Sequence, residues 1–297
     1  MKYKIFLLPF FVLFFVLSPL NSETVQALNQ TEKVKLLQQI EILKQEILLL
    51  QTLLSNMRLQ QEIIAPSYLA VNLSDNSVIL EKNPSQSYPI ASITKLMNAV
   101  VALENIDEER TITLTKEMLE SFGRSPALFL GLKISAKNLL KASLIQSTND
   151  ASEALAYSLG KEKFLTLMNQ KAKELAMANT VFYDVHGLNP ANRSTAQDLA
   201  KLLLYIYKNH PEILNITKNN NFWLPDSVGK LLKFQNVNNF YYFSSFVGGK
   251  TGYLPEAKQT LASIFNVNEE PVAIIVLYSS NRQADTFTIL RKLNWDK

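Results

Sequence analysis

The chain has no cysteine and only two histidines, His186 and His210, among 297 residues. The first absence removes disulfides, thiol nucleophiles and cysteine-bound metal. The second removes a histidine-rich metal centre. No Gly-x-Ser-x-Gly elbow is present to support a serine–histidine–aspartate triad. Charge is also sparing: the formal net value is +4, with Lys and Arg scattered, so a nucleic-acid-binding surface is not expected. No metal or cofactor is expected. Apolar material is plentiful, at 47% hydrophobic and 10% aromatic, enough to bury a substantial core.

The N-terminus reads as an export segment. Lys2 and Lys4 precede an apolar run from Ile5 to Leu17, shorter than the roughly 20 residues of a membrane span and nearer a signal-peptide core. Val25-Gln26-Ala27 offers a small-residue cleavage site, while stretching the run to Leu20 allows an uncleaved anchor with the lysines inside. Residues 1–27 are therefore expected to be a signal peptide or membrane anchor. The rest would act outside the cytoplasm, tethered by the N-terminus or secreted to the cell-wall space. Residues 28–65 lack Gly and contain a heptad seam, Leu36, Ile40, Leu43, Ile47, Leu50, Leu54 and Met57, before Pro66. This predicts a helical stalk, with a coiled coil through which copies of the chain could associate. Ile42, Leu48, Leu49 and Leu53 widen the apolar face, so a lone amphipathic helix is the competing reading.

Residues 66–297 form the expected globular domain. Strands are predicted at 68–73 and 77–81, joined by the turn-forming Ser74-Asp75-Asn76. A helix from Ser92 to Leu103 and a helical block over 136–145, 150–159 and 161–177 follow. Thr195 with Asp198 reads as a capping box opening a helix to about Lys208. Strands are then predicted at 230–235, 240–243, 247–251, 259–266 and 272–278, with a closing helix over 283–295. Strands at both chain ends around a helical block describe an α+β domain with one antiparallel sheet.

Within this frame, chemistry-bearing residues recur in a fixed order. Ser-x-x-Lys occurs at Ser92/Lys95, Ser158/Lys161 and Ser227/Lys230, and Ser-x-Asn at Ser74/Asn76, Ser147/Asn149 and Ser279/Asn281. Lys-Thr-Gly occurs once, at Lys250-Thr251-Gly252. On a helix, Ser92 and Lys95 share a face, so an amine with a lowered pKa could activate the hydroxyl. Only Ser92/Lys95 followed by Ser147/Asn149 places both short motifs, in that order, ahead of Lys250. The ordered set is the pattern of the serine penicillin-recognising enzymes.

With these motifs in view, residues 67–297 resemble the low-molecular-mass, penicillin-binding D-alanyl-D-alanine carboxypeptidases. Ala91-Ser92-Ile93-Thr94-Lys95-Leu96-Met97, Ser147-Thr148-Asn149-Asp150-Ala151, His186-Gly187-Leu188 and Ser194-Thr195-Ala196-x-Asp198-Leu199 all follow that family's pattern. The resemblance implies a β-lactamase-like fold, a peptidoglycan pentapeptide substrate and β-lactams as acylating inhibitors. It implies Ser92 as acylated nucleophile, Lys95 as base, Ser147 as proton relay to the leaving amine, and Asn149 as holder of the peptide and Lys95. Lys250, Thr251 and Gly252 would line the substrate's terminal region, and Arg282 would contact the terminal carboxylate. The N–H groups of Ser92 and Tyr253 would form the oxyanion hole. Departures occur at Thr148 (usually Gly), Leu254 (usually Thr) and Lys258 (usually Gly). The family's C-terminal β-rich domain and amphipathic anchor are not expected here.

Three alternatives stay open. A D,D-endopeptidase would use the same residues. A class A β-lactamase adds Glu-x-x-Leu-Asn; here Leu188-Asn189 is present but Val185 occupies the Glu position, so slow release of penicillin is expected. The third is a degenerate, membrane-tethered wall-binding module.

Overall fold

The computed structural model describes residues 30–59, 62–121, 127–225 and 231–294, so the predicted export segment 1–27 lies outside the described residues. Contacts divide the chain into two compact units, one ending at Gln60 and one from Gln61 to Lys297. The first contributes a single described helix, α1 (Gln30–Leu59). At 1.5 Å per residue it is roughly 45 Å long. Val34, Ile42, Ile47 and Leu48 stand exposed along it. Among the described residues, no helix is long and apolar enough to cross a membrane.

The second unit begins with β1 (Ser67–Asn72), β2 (Val78–Lys82) and the short β3 (Tyr88–Pro89). A 3₁₀ turn (Ala91–Ile93) then leads into α2 (Thr94–Asn105). A small ribbon, β4 (Thr111–Thr113) with β5 (Lys133–Ser135), precedes α3 (Ala136–Ile145), α4 (Asn149–Leu159) and α5 (Lys161–Glu174). Next come β6 (Arg193–Ser194), α6 (Ala196–Asn209), α7 (Pro211–Thr217) and the hairpin β7 (Asn221–Pro225) and β8 (Leu231–Gln235). The chain closes with β9 (Phe246–Leu254), β10 (Lys258–Val267), β11 (Glu270–Ser279) and α8 (Arg282–Lys292).

Five strands form one antiparallel sheet in the order β2-β1-β11-β10-β9, so both ends of the domain meet at its centre, as the sequence predicts. Alternation along the strands gives each face its own core. Ala273, Ile275 and Leu277 of β11 join Leu96, Val100, Leu199 and Leu203 on the helical side. Val272, Ile274 and Val276 face Ile289, Leu290 and a cluster of Phe240, Phe246 and Phe265. Ile63 and Ala65, assigned to the stalk by sequence, are buried in this second core. The Asp285 carboxylate fixes them, accepting the Ile64 and Ala65 amides at 2.7 and 3.1 Å and the Ser279 hydroxyl at 2.6 Å.

Several boundaries differ from the sequence reading for local reasons. Residues 240–243, expected to be a strand, lie mostly in a 3₁₀ turn (Asn239–Tyr242), because the Asn238 side chain accepts the Phe240 amide. The Thr195–Asp198 box is half made. Thr195 Oγ1 accepts the Asp198 amide at 3.1 Å, but the Asp198 carboxylate turns to the Asn179 amide, Thr180 and Lys201 instead. The helix predicted to reach 177 ends at Glu174, where Ala176 adopts φ 53°.

Candidate active site

Ser92 sits in the 3₁₀ turn that opens α2, held in place by the strand pair that leads into it. Tyr88 and Pro89 pair with Ser194 and Arg193, and the Ile90 amide donates to the Asn192 carbonyl at 3.0 Å. Ala91 takes φ 50°, an unfavourable conformation for a residue with a Cβ. Its carbonyl lies against Gly187, where a Cβ would come within 2.0 Å of that oxygen. Only glycine fits that position, which also has φ +93°.

Lys95, one turn along, is completely buried. Its Nζ donates to Ser92 Oγ at 3.1 Å, Asn149 Oδ1 at 2.7 Å and the His186 carbonyl at 2.7 Å. Loss of water pushes its pKa down to about 7, against the opposing pull of the Asp184 carboxylate. The amine is thus a neutral acceptor for half the molecules at neutral pH, already in contact with the hydroxyl it would deprotonate.

Ser147 and Asn149 come from the bend between α3 and α4. Ser147 occupies the left-handed region, φ 61°, and the Thr148 amide reaches back to the Ala142 carbonyl at 3.3 Å. A buried Ser143–Ser152 hydroxyl contact of 2.7 Å ties the two helices beneath the bend. The bend leaves Ser147 half-buried and sends Asn149 inward to Lys95. Thr148, at the family's usual glycine position, is 3% exposed, so its side chain is directed into the protein.

The opposite wall is β9. Lys250 and Thr251 are buried, and Lys250 Nζ donates to the Thr251 carbonyl at 2.9 Å. Burial, reinforced by the charges of Lys95 and Arg282, pushes the Lys250 pKa well below its ordinary value. Gly252 lets the strand close on the Ser92 turn: a Cβ would lie 2.9 Å from the Ser92 nitrogen and 2.8 Å from the Ile90 carbonyl. The backbone at Tyr253 therefore follows a residue packed against the Ser92 amide. Arg282 opens α8 and donates from Nη1 to the Gly252 carbonyl at 3.0 Å, which ties it to this wall. Lys258, where the resemblance expects Gly, takes φ 49°, and its ammonium lies 4.3 Å from the Tyr278 ring centroid. Leu254, the other departure, pairs with it across the β9–β10 turn.

Geometry separates the two Ser-x-x-Lys copies that lie among the described residues. Ser158 bonds the Leu155 carbonyl and Lys161 bonds Glu153, so that pair is not a dyad. Ser227 and Lys230 lie outside the described residues. The loop over 184–192 adds contacts that sequence reasoning left without a role. The His186 carbonyl holds Lys95, and Asp184 accepts the His186 and Gly187 amides at 3.1 and 2.6 Å and Asn192 Nδ2 at 2.8 Å. The His186-Gly187-Leu188 pattern was the visible signal for the first. Val185 is buried, and the neighbouring Asp184 carboxylate is occupied by the loop, so this segment presents no free carboxylate to activate water.

An antiparallel sheet flanked by helices, with a serine–lysine pair at the head of one helix and a Lys-Thr-Gly strand packed beside it, defines the serine peptidases that recognise penicillin. A family profile for D-alanyl-D-alanine carboxypeptidase, peptidase family S11, matches residues 55–281. The D-alanyl-D-alanine endopeptidase of Escherichia coli is 36% identical over 229 residues, covering 73% of this chain and 72% of the relative. The D-alanyl-D-alanine carboxypeptidase DacF of Bacillus subtilis is 32% identical over 222 residues, 71% of this chain and 57% of the relative. The Streptomyces K15 DD-transpeptidase, solved as a C98N mutant, superposes with a TM-score of 0.72 at 26% identity, covering 80% of this chain and 98% of the other. The chain belongs to the S11 family of serine-type D-alanyl-D-alanine carboxypeptidases. It is a penicillin-binding hydrolase of the bacterial cell wall, acting outside the cytoplasm.

Proposed function

We propose that the protein cleaves the D-Ala-D-Ala peptide bond of peptidoglycan stem peptides through an acyl-enzyme on Ser92. The observation that carries this reading is Lys95: buried, titrating at about 7, and 3.1 Å from the Ser92 hydroxyl. Ser92 Oγ attacks the carbonyl carbon as its proton passes to Lys95. The developing oxyanion is held by the Ser92 and Tyr253 amides, a contribution of about 3 kcal/mol by analogy with other acyl-transfer sites. Ser147 passes a proton to the departing D-alanine amine. Asn149 holds the peptide and Lys95, while Lys250, Thr251, Gly252 and Arg282 receive the terminal carboxylate. Water then hydrolyses the ester. With Val185 in place of a glutamate, a penicilloyl ester is released slowly.

A second reading, the D,D-endopeptidase cutting cross-links, is favoured by the 36% identity with the Escherichia coli endopeptidase. We further propose that residues 1–27 are a signal or anchor, that the stalk expected over 28–65 ends near Gln60, and that the catalytic domain, expected from 66, takes in the buried Ile63 and Ala65 and runs to 297. The exposed apolar residues of α1 support a coiled-coil pairing of stalks, and the lysines ahead of the Ile5–Leu17 run support tethering at the membrane. The test is mass spectrometry after incubation with a labelled penicillin. One adduct per chain on the parent and none on Ser92→Ala is expected. A folded parent that takes no label, or a Ser92→Ala variant that still does, would refute the assignment. Release of D-alanine from a pentapeptide, compared with cleavage of a cross-linked dimer, then separates carboxypeptidase from endopeptidase.

A further inference from the structure

The helix that supplies Asn149 carries a second polar residue on the same face. Glu153 follows Asn149 by one turn of α4, so the two side chains project together. Glu153 is 4% exposed at its side chain, and Oε1 lies 3.0 Å from His186 Nε2 and 2.9 Å from Lys161 Nζ. His186 Nδ1 accepts the Leu188 amide at 3.2 Å, which leaves the ring proton on Nε2, facing Glu153. The backbone carbonyl of the same histidine accepts Lys95 Nζ at 2.7 Å. Among the described residues, Glu153 Oε2 is buried with no partner, an unfavourable state for a group serving packing alone.

We propose that Glu153 is a positioning residue for the base: it fixes the His186 ring, and through it the carbonyl that holds Lys95 toward Ser92. Helix α4 thereby grips the amine twice, directly through Asn149 and indirectly through Glu153 and His186. The inference rests on the reading of Lys95 as the base. The charges facing Lys95 are Asp184 from the loop and Lys250 from β9, with Arg282 of α8 beside Lys250. Those facing the Glu153–His186 pair are Lys161 of α5 and Asp184, 3.4 Å from His186 Nδ1. A loosened carbonyl admits water to Lys95, favours the ammonium, and moves the acid limb of acylation upward.

The experiment is stopped-flow acylation by a fluorescent penicillin across pH 5.5–9.5 on the full chain, with thermal melts to verify folding. Glu153→Ala should slow acylation about tenfold on the acid limb and less than about twofold at pH 9, as a limb displaced by about one unit requires. Glu153→Gln, which keeps an oxygen for the Nε2 proton, should stay within about threefold of the parent at every pH. In the Glu153→Ala/His186→Ala pair the double variant should lose no more than the worse single one. A uniform loss across pH, an additive double variant, or a Glu153→Gln as slow as Glu153→Ala overturns the proposal. Should Glu153→Ala fail to fold, Glu153→Met carries the same comparison. A parent that takes no label defeats the reading beneath it instead, so the two failures are distinguishable.

Discussion

Raising the pH from 6 to 8 should speed acylation of Ser92 about tenfold, with the half-maximal rate near pH 7. The Lys95 amine falls from 10.5 to about 7, burial outweighing the pull of Asp184, equivalent to about 5 kcal/mol of net differential interaction between its two forms. At pH 6 about one molecule in ten then holds a neutral Lys95, and at pH 8 about nine in ten. An unshifted lysine would be neutral in only about one molecule in 3,000 at pH 7, so burial multiplies the available base by about 1,500. The assay is the single-turnover rate of penicillin acylation at saturating label, because deacylation does not enter it. A rate climbing tenfold per unit through pH 9 would show an unshifted amine, and a flat profile would show that Lys95 is not the base. Either result refutes the reasoning. Asp184→Asn sharpens the test, since the lost carboxylate pulls the Lys95 pKa up and its removal moves the midpoint below 7. The same shift acts on stability. The unfolded chain binds the extra proton between pH 7 and 10.5, so this group's contribution improves as pH rises through that window and is least favourable below it.

Three further outcomes follow from the geometry. Gly187→Ala should destabilise the domain by about 3 kcal/mol or more in urea melts, because its Cβ would meet the Ala91 carbonyl at 2.0 Å in a left-handed backbone. Arg282→Ala should raise KM for a free-acid peptide about tenfold with little change in kcat, while an amidated peptide should not distinguish it from the parent; this is the loss expected of one charged hydrogen bond. Burial pushes the Glu104 carboxyl up, but Lys171, Tyr205 and His210 outweigh it and hold the group below its ordinary range. Its stabilisation is therefore present above about pH 4.5 and fades as pH falls through the lowered value, so Glu104→Gln should reduce Tm at pH 7 and not at pH 2.

The long, periodic elements were legible in the sequence. The helix predicted over 136–145 is α3 itself, and the paired strands from both chain ends form the sheet centre. The Ser92, Lys95 and Asn149 contact was legible too, because motif order marks residues whose chemistry depends on meeting. What sequence could not supply was the interior of the loop over 184–192. The His186-Gly187-Leu188 pattern marks the segment, but a backbone carbonyl leaves no trace in residue identity, so the Lys95–His186 contact itself is invisible until the loop is folded. Glu153 was hidden for another reason: an acidic residue on an amphipathic helix ordinarily faces water, and here it points inward. The turn over 239–242 was misread because its aromatic residues have high strand propensity, while one asparagine cap decides the backbone.

The placement of β1 has a consequence for how the chain comes to be folded at all. Its partner is β11, and the Ile64 amide waits for a carboxylate 221 positions later. The middle of the sheet therefore cannot assemble until almost the whole polypeptide has emerged, and closing so long a loop is slow. A chain bound for the far side of a membrane benefits from that delay. Its sheet centre locks only once β11 and Asp285 of α8 are available to β1 and Ile64.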